Sequence, residues 1–79
     1  MKVNASALKH GLSEADILHA AAHPVYLSEP DDDMPAKEFA LGFDAHGRLL
    51  ELAILTFDSG DRLVIHAMKA RPHFTQLLE

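Results

Sequence analysis

The 79 residues are enough for one small domain and too few for two cores, so folding would bury about 60% of the unfolded chain's surface and leave a thin margin of stability. Twelve acidic against seven basic residues give a formal net charge of −5 at pH 7, which repels polyanions overall and leaves nucleic acid only a local basic patch. The absence of cysteine excludes disulfide staples and thiolate zinc sites. Neither the opening MKVNASALKHG nor any later run has the apolar core of a signal peptide or a membrane span, so a soluble cytoplasmic protein is expected.

In chain order, Asn4 to Lys9 suits a short first helix, with Gly11 as its stop. A second helix is predicted from Glu14 to about His23, because Ser13 can cap it, Leu12 can staple onto Ile17, and Pro24 ends it. Val25 to Ser28 reads as a short strand, and Glu29 to Pro35, with its acids and prolines, as an exposed loop. The period then becomes two over Glu38 to Phe43, Leu49 to Leu55 and Arg62 to Ala67, with turns at Asp44 to Arg48 and Asp58 to Asp61. Pro72 opens a short C-terminal helix. The expected fold is therefore α+β, one domain over residues 1–79, with one or two N-terminal helices on a three- to four-stranded antiparallel meander.

Tight two-residue turns would set Phe39, Leu41 and Phe43 beside Leu50, Leu52 and Ile54, and these beside Leu63, Ile65 and Ala67, as the face the helices cover. The opposite face would collect Glu38, Ala40, Gly42, Glu51, Ala53, Leu55, Phe57, Arg62, Val64, His66 and Met68. In it Ala40, Ala53 and His66 form one cross-strand row, with Glu51 and Met68 in the next.

His66 is an ionisable group in an otherwise apolar strand, followed by Lys69 and Arg71 where the strand meets the last helix. A cation fixed against a phosphate and an imidazole able to move a proton are what phosphodiester chemistry needs. The plain alternative is a half-buried histidine bonded to Glu51, with Lys69 and Arg71 compensating a helix end or a carboxylate. His19 and His23, four apart on the helix, could share a metal ion, but Ala20 stands where a zinc-protease helix carries glutamate, so no metal is expected. Asp31-Asp32-Asp33 lacks the alternation and glycine of a calcium loop, and no P-loop, dinucleotide turn or nucleophile elbow is present.

Several short motifs resemble the BrnT family of toxins from bacterial type II toxin–antitoxin pairs, whose fold is similar to that of the RelE-type ribonucleases. Lys9-His10-Gly11 before Leu12-Ser13-Glu14-Ala15 is similar to the family's Lys-His-Gly entry into its helix. Glu38 to Gly42 matches a charged residue and a glycine on its second strand. Ile65, Ala67, Lys69 and Ala70 match the strand end that in the family reads Ile-Ser-Ala-Arg-Lys-Ala, with His66 in place of its serine and Met68 in place of its arginine. The resemblance implies a metal-independent endoribonuclease without cofactor, neutralised by a cognate antitoxin such as a ribbon-helix-helix protein. His66 would then transfer protons, His10 would be its counterpart and Glu51 would orient His66. Lys9, Arg62, Lys69 and Arg71 would contact RNA. From a different class comes a non-catalytic interaction module in which Leu55, Phe57, Val64 and Met68 form an apolar patch covered by a partner or a second copy.

Overall fold

The computed structural model describes residues 1–78. After β1 (Lys2–Val3) a single 3-10 turn spans Ala5–Leu8, and α1 follows at Glu14–Ala22. The strands β2 (Pro24–Leu27), β3 (Ala36–Phe43), β4 (Leu49–Thr56) and β5 (Arg62–Lys69) come next. The chain then enters α2 (Pro72–Thr75) and a 3-10 turn at Gln76–Leu78.

The α1 start is built as its sequence directs. The Asp16 amide donates to the Ser13 hydroxyl at 3.1 Å, and Leu12 and Ile17 both enter the buried cluster. Gly11 supplies the left-handed φ of +83° that turns the chain from the 3-10 segment into α1.

The sheet has five strands in the order β1-β5-β4-β3-β2. The β2–β3–β4–β5 run is the expected antiparallel meander. The antiparallel-only expectation is corrected at one edge, where β1 pairs parallel with β5, Lys2 opposite Leu63 and Val3 opposite Val64. Two residues are too short to show a period, so Lys2 and Val3 carried no strand signal. That helix shrinks to the 3-10 turn.

The facing of β3 is also corrected. Phe43 pairs with Leu49 across a five-residue loop, so Ala40 lies opposite Leu52, Gly42 opposite Leu50, and Phe39 opposite Ala53. A one-residue change in register turns every side chain of a strand over. The helix-covered face is thus Ala40, Leu50, Leu52, Ile54, Val64 and Ala67 with Ile17, Ala20 and Ala21 of α1. Phe39 belongs to the other side.

Asp44 sets that loop. Its buried carboxylate accepts from the amides of His46 and Arg48, both at 2.9 Å, and from Arg48 Nε at 2.6 Å. Burial alone would raise its pKa, but the Arg48 and His46 donors hold it below the usual carboxylate range. Arg48 also reaches Asp16 of α1 at 3.1 Å, tying loop to helix.

A β-bulge resets β5. Ala53 lies opposite His66 but Ile54 lies opposite Val64, which leaves Ile65 as the extra residue. The cause is in the packing: Val64 and Ala67 are both fully buried in the same cluster, and residues three apart cannot share a face of a regular strand. The expected helix-side set of Leu63, Ile65 and Ala67 is therefore corrected to Val64 and Ala67. With Val64 inside, the expected apolar patch of Leu55, Phe57, Val64 and Met68 is broken.

Candidate functional site

The sheet face away from α1 carries the row Phe39, Ala53, His66 and the next row Leu41, Glu51, Met68. Phe39 stands where Ala40 was expected. After β5 the chain crosses this face, so that Phe74 of α2 lies on Phe39 with ring centroids 4.5 Å apart. Arg71 sits 5.2 Å from the centroid of the Phe74 ring. A groove of about 550 Å³ remains, lined among others by Ser28, Lys37, Phe39, Ala53, His66 and Arg71.

Glu51 is the centre of the site, only 1% exposed in the middle of the sheet. Its Oε1 accepts from the Arg71 amide at 3.1 Å and from Arg71 Nε at 2.9 Å. Its Oε2 accepts from Arg71 Nη2 at 2.8 Å and pairs with His66 Nε2 at 3.1 Å. Desolvation pushes the carboxyl upward, but the Arg71 and His66 bonds win and hold its pKa at about 2. An ionised carboxylate can only accept, so His66 Nε2 carries the proton of that bond. In the neutral ring Nδ1 is then left with its lone pair.

His10 completes the arrangement from 56 positions earlier in the chain. The turn after the 3-10 segment brings its ring edge-on to His66, with centroids 5.8 Å apart and planes at 79°. His66 and Arg71, both bonded to the buried Glu51 carboxylate, thus line the groove, and His10 stands edge-on behind His66. Two of the five N–H groups of the Arg71 side chain are engaged on Glu51. The other three have no hydrogen-bond partner among the described residues, and half of the side chain is exposed.

The other expected contacts lie apart from this cluster. Lys69 pairs with Leu50, a helix-side residue, and so faces away from His66. Arg62 is at the far end of β5, 3.8 Å from Glu38, beside a separate hollow of about 720 Å³ formed with Met1, Lys2 and Phe57. Lys9 is exposed and adjacent to His10 in the chain. His19 and His23 stack at 4.8 Å, but their Nδ1 atoms bond the carbonyls of Phe43 and His19. Among the described residues no three His, Cys, Asp or Glu side chains are grouped to hold a metal, and no helix is long and apolar enough to cross a membrane.

Sequence reasoning missed the groove's other wall. Asp31 Oδ1 accepts from the amides of Asp33 at 3.1 Å and Lys37 at 2.8 Å, and the Lys37 bond does most to lower its pKa. This folds the acidic loop back, so that Glu29, Asp31 and Lys37 line the groove. The cue was Asp31 itself, an aspartate in a proline-bounded loop that can bond backbone two or more residues on. Phe39 and Phe74 carried no such cue.

The pKa of Glu51 makes acid stability a test of the network. A carboxyl held at about 2 against an ordinary 4.5 stabilises the fold at neutral pH by roughly 3 kcal/mol. That contribution is complete above pH 4.5 and is lost as the pH falls toward 2. Urea midpoints measured from pH 6 to pH 2 should fall more steeply for the native chain than for Glu51→Gln. Parallel curves would show that Glu51 is not linked to folding.

No family model matches the chain, and neither a curated protein nor a solved structure does.

Proposed function

We propose that this chain is a toxin-like ribonuclease resembling the BrnT family, acting in the cytoplasm on RNA and held inactive by a cognate antitoxin, for which a ribbon-helix-helix protein is the expected type. The observation that carries the reading is the His10–His66 pair at 5.8 Å, one ring anchored through Nε2 on an ionised carboxylate and the other exposed. RNA cleavage without a metal needs a base to take the proton of the 2′-hydroxyl and an acid to protonate the leaving 5′-oxygen. The 2′-oxygen bonds to phosphorus, the bond from phosphorus to the 5′-oxygen breaks, and a 2′,3′-cyclic phosphate remains. His66 through Nδ1 and His10 are the two groups for this exchange, and the open N–H groups of Arg71 are placed to meet phosphate oxygens. Glu51 orients His66 and Arg71 together. Lys9 adds charge at the histidine end, while Glu29 and Asp31 line the groove and disfavour a polyanion along its whole length.

A second reading, an interaction module or homodimer, is favoured by the outer strand β2, where Val25 and Leu27 are 50% and 47% exposed.

Expression of the chain alone should arrest growth, and the purified protein should cut single-stranded RNA in the presence of chelator. His66→Ala or His10→Ala should slow cleavage by about 10²–10⁴-fold and relieve the arrest, with Tm measured alongside to confirm folding. Normal growth and intact RNA would reject the ribonuclease reading, and a dimer in sedimentation under those conditions would establish the second one.

A further inference from the structure

We infer that Ser6 is a positioning residue for the His10–His66 pair, clamping the β5 bulge that turns His66 out of the core and into the groove. The inference rests on the ribonuclease reading for its chemistry, but its geometry stands on the fold alone.

A regular β5 continuing from the Ile54–Val64 pair would set Ile65 opposite Ala53 and His66 opposite Leu52. His66 would then point under α1, and Ala67 would point into the groove. The bulge at Ile65 is what exchanges them. A bulge leaves its extra residue outside the ladder, and the Ile65 carbonyl is met instead by the Ser6 hydroxyl, which donates to it at 2.7 Å.

The rest of the N-terminal segment follows β5 to that point. Val3 pairs with Val64, and the Asn4 amide donates to the Val64 carbonyl at 2.9 Å. The next carbonyl along β5 belongs to Ile65, and a side chain satisfies it. Asn4 holds the N-cap position of the 3-10 turn yet makes no side-chain cap bond. Its Nδ2 donates to Ser6 Oγ at 2.7 Å instead. With that lone pair occupied, the Ser6 proton is directed onto Ile65, so two polar side chains near the surface serve one backbone carbonyl.

The same segment carries His10 four residues later. Ser6 therefore supports both members of the pair: the packing of Val64 and Ala67 demands the bulge, and Ser6 holds its freed Ile65 carbonyl in the geometry that aims His66 while anchoring the turn from which His10 reaches His66. Ser6 touches neither ring, and its effect travels through the backbone at Ile65 and through the 3-10 turn.

The test compares Ser6→Ala, Ser6→Thr and Asn4→Ala with the native chain by NMR and by cleavage of a single-stranded RNA oligonucleotide. Ser6→Ala should weaken the Overhauser contacts between the His10 and His66 ring protons and mix the His66 ring tautomers. It should lower kcat by about 10–100-fold with KM little changed. Ser6→Thr, which keeps the hydroxyl, should restore both readouts, and Asn4→Ala should give an intermediate result. Native ring contacts and tautomer in a folded Ser6→Ala chain would overturn the inference. If Ser6→Ala does not fold, Asn4→Ala decides in its place by the same two signals. The ring contacts need no RNA. Their loss in Ser6→Ala, with no cleavage even by the native chain, would reject the ribonuclease reading and uphold the role of Ser6.

Discussion

Arg71→Ala should be among the most destabilising single substitutions in this chain, and in it the dependence of stability on pH through Glu51 should run opposite to that of the native chain. The damage falls on Glu51, which is 1% exposed and would keep only His66 as a side-chain donor. Stranding a buried carboxylate in this way costs about 3–5 kcal/mol, a large share of the ~5 kcal/mol typical of so small a domain. Glu51→Gln should cost less, because the half-exposed Arg71 can turn to water and the amide keeps the shape of the carboxyl.

The double variant Arg71→Ala/Glu51→Gln should be more stable than Arg71→Ala alone, since the stranded charge is gone. In the native chain Glu51 loses its stabilising effect as pH falls from 4.5 toward 2. In Arg71→Ala, desolvation is opposed by far less, so the folded carboxyl favours its neutral form. The penalty is then present at neutral pH and relieved on acidification. Urea melts at pH 7 and pH 4 would read this directly. Additive losses with the same pH slope would mean that the carboxylate and the guanidinium do not act as a unit.

From α1 onward the element order was legible because each boundary carries its own chemistry. Ser13, Pro24 and the glycine-bearing turns mark where α1 and the hairpins begin and end, and they do so without tertiary help. Facing was not legible, since both alternating sets of β3 are apolar and the larger one, Phe39 with Leu41 and Phe43, reads as core on hydropathy alone. Size decided the matter: α1 approaches the sheet so closely that it requires Ala40 and Gly42 beneath it. The loop told the same story through Asp44, whose carboxylate closes five residues where a two-residue turn was assumed.

The site was legible in part for a related reason. Ala53 opposite His66, and Glu51 opposite Met68, depend only on the β4–β5 pairing, which the apolar pattern of those two strands suggests. The approach of His10 to His66 came from motif resemblance, since no local rule links residues so far apart. Lys69 and Arg62 were misplaced because distance along a strand says little once the bulge and the facing are unknown. From the sequence Arg71 reads as a cation for phosphate or as compensation for a helix end or a surface carboxylate. Its real partner is a buried one, visible only when the chain after β5 is seen to cross the sheet.

Gly42→Ala tests the facing of β3 most sharply. A Cβ built on Gly42 would stand 2.2 Å from the Ala20 carbonyl oxygen and 3.0 Å from its carbon, and both are backbone atoms of α1. No rotamer change can relieve that contact, so the helix itself must lift from the sheet and loosen the packing of Ile17, Ala20 and Ala21. Overpacking against backbone places the cost at about 3 kcal/mol or more, which for a domain of this size lowers Tm by roughly 12–24 °C.

Gly47→Ala makes the control. Its φ is +79° but nothing lies within 4 Å of the added carbon, so only conformational strain opposes it, at about 1 kcal/mol. The register with Phe39, Leu41 and Phe43 toward the helix would put Gly42 on the groove side, where the same methyl group meets no helix. A Gly42→Ala chain that melts within a few degrees of the native one would therefore favour that register. A loss several times that of Gly47→Ala requires the small side of β3 to lie under α1, which in turn places Phe39 beside His66.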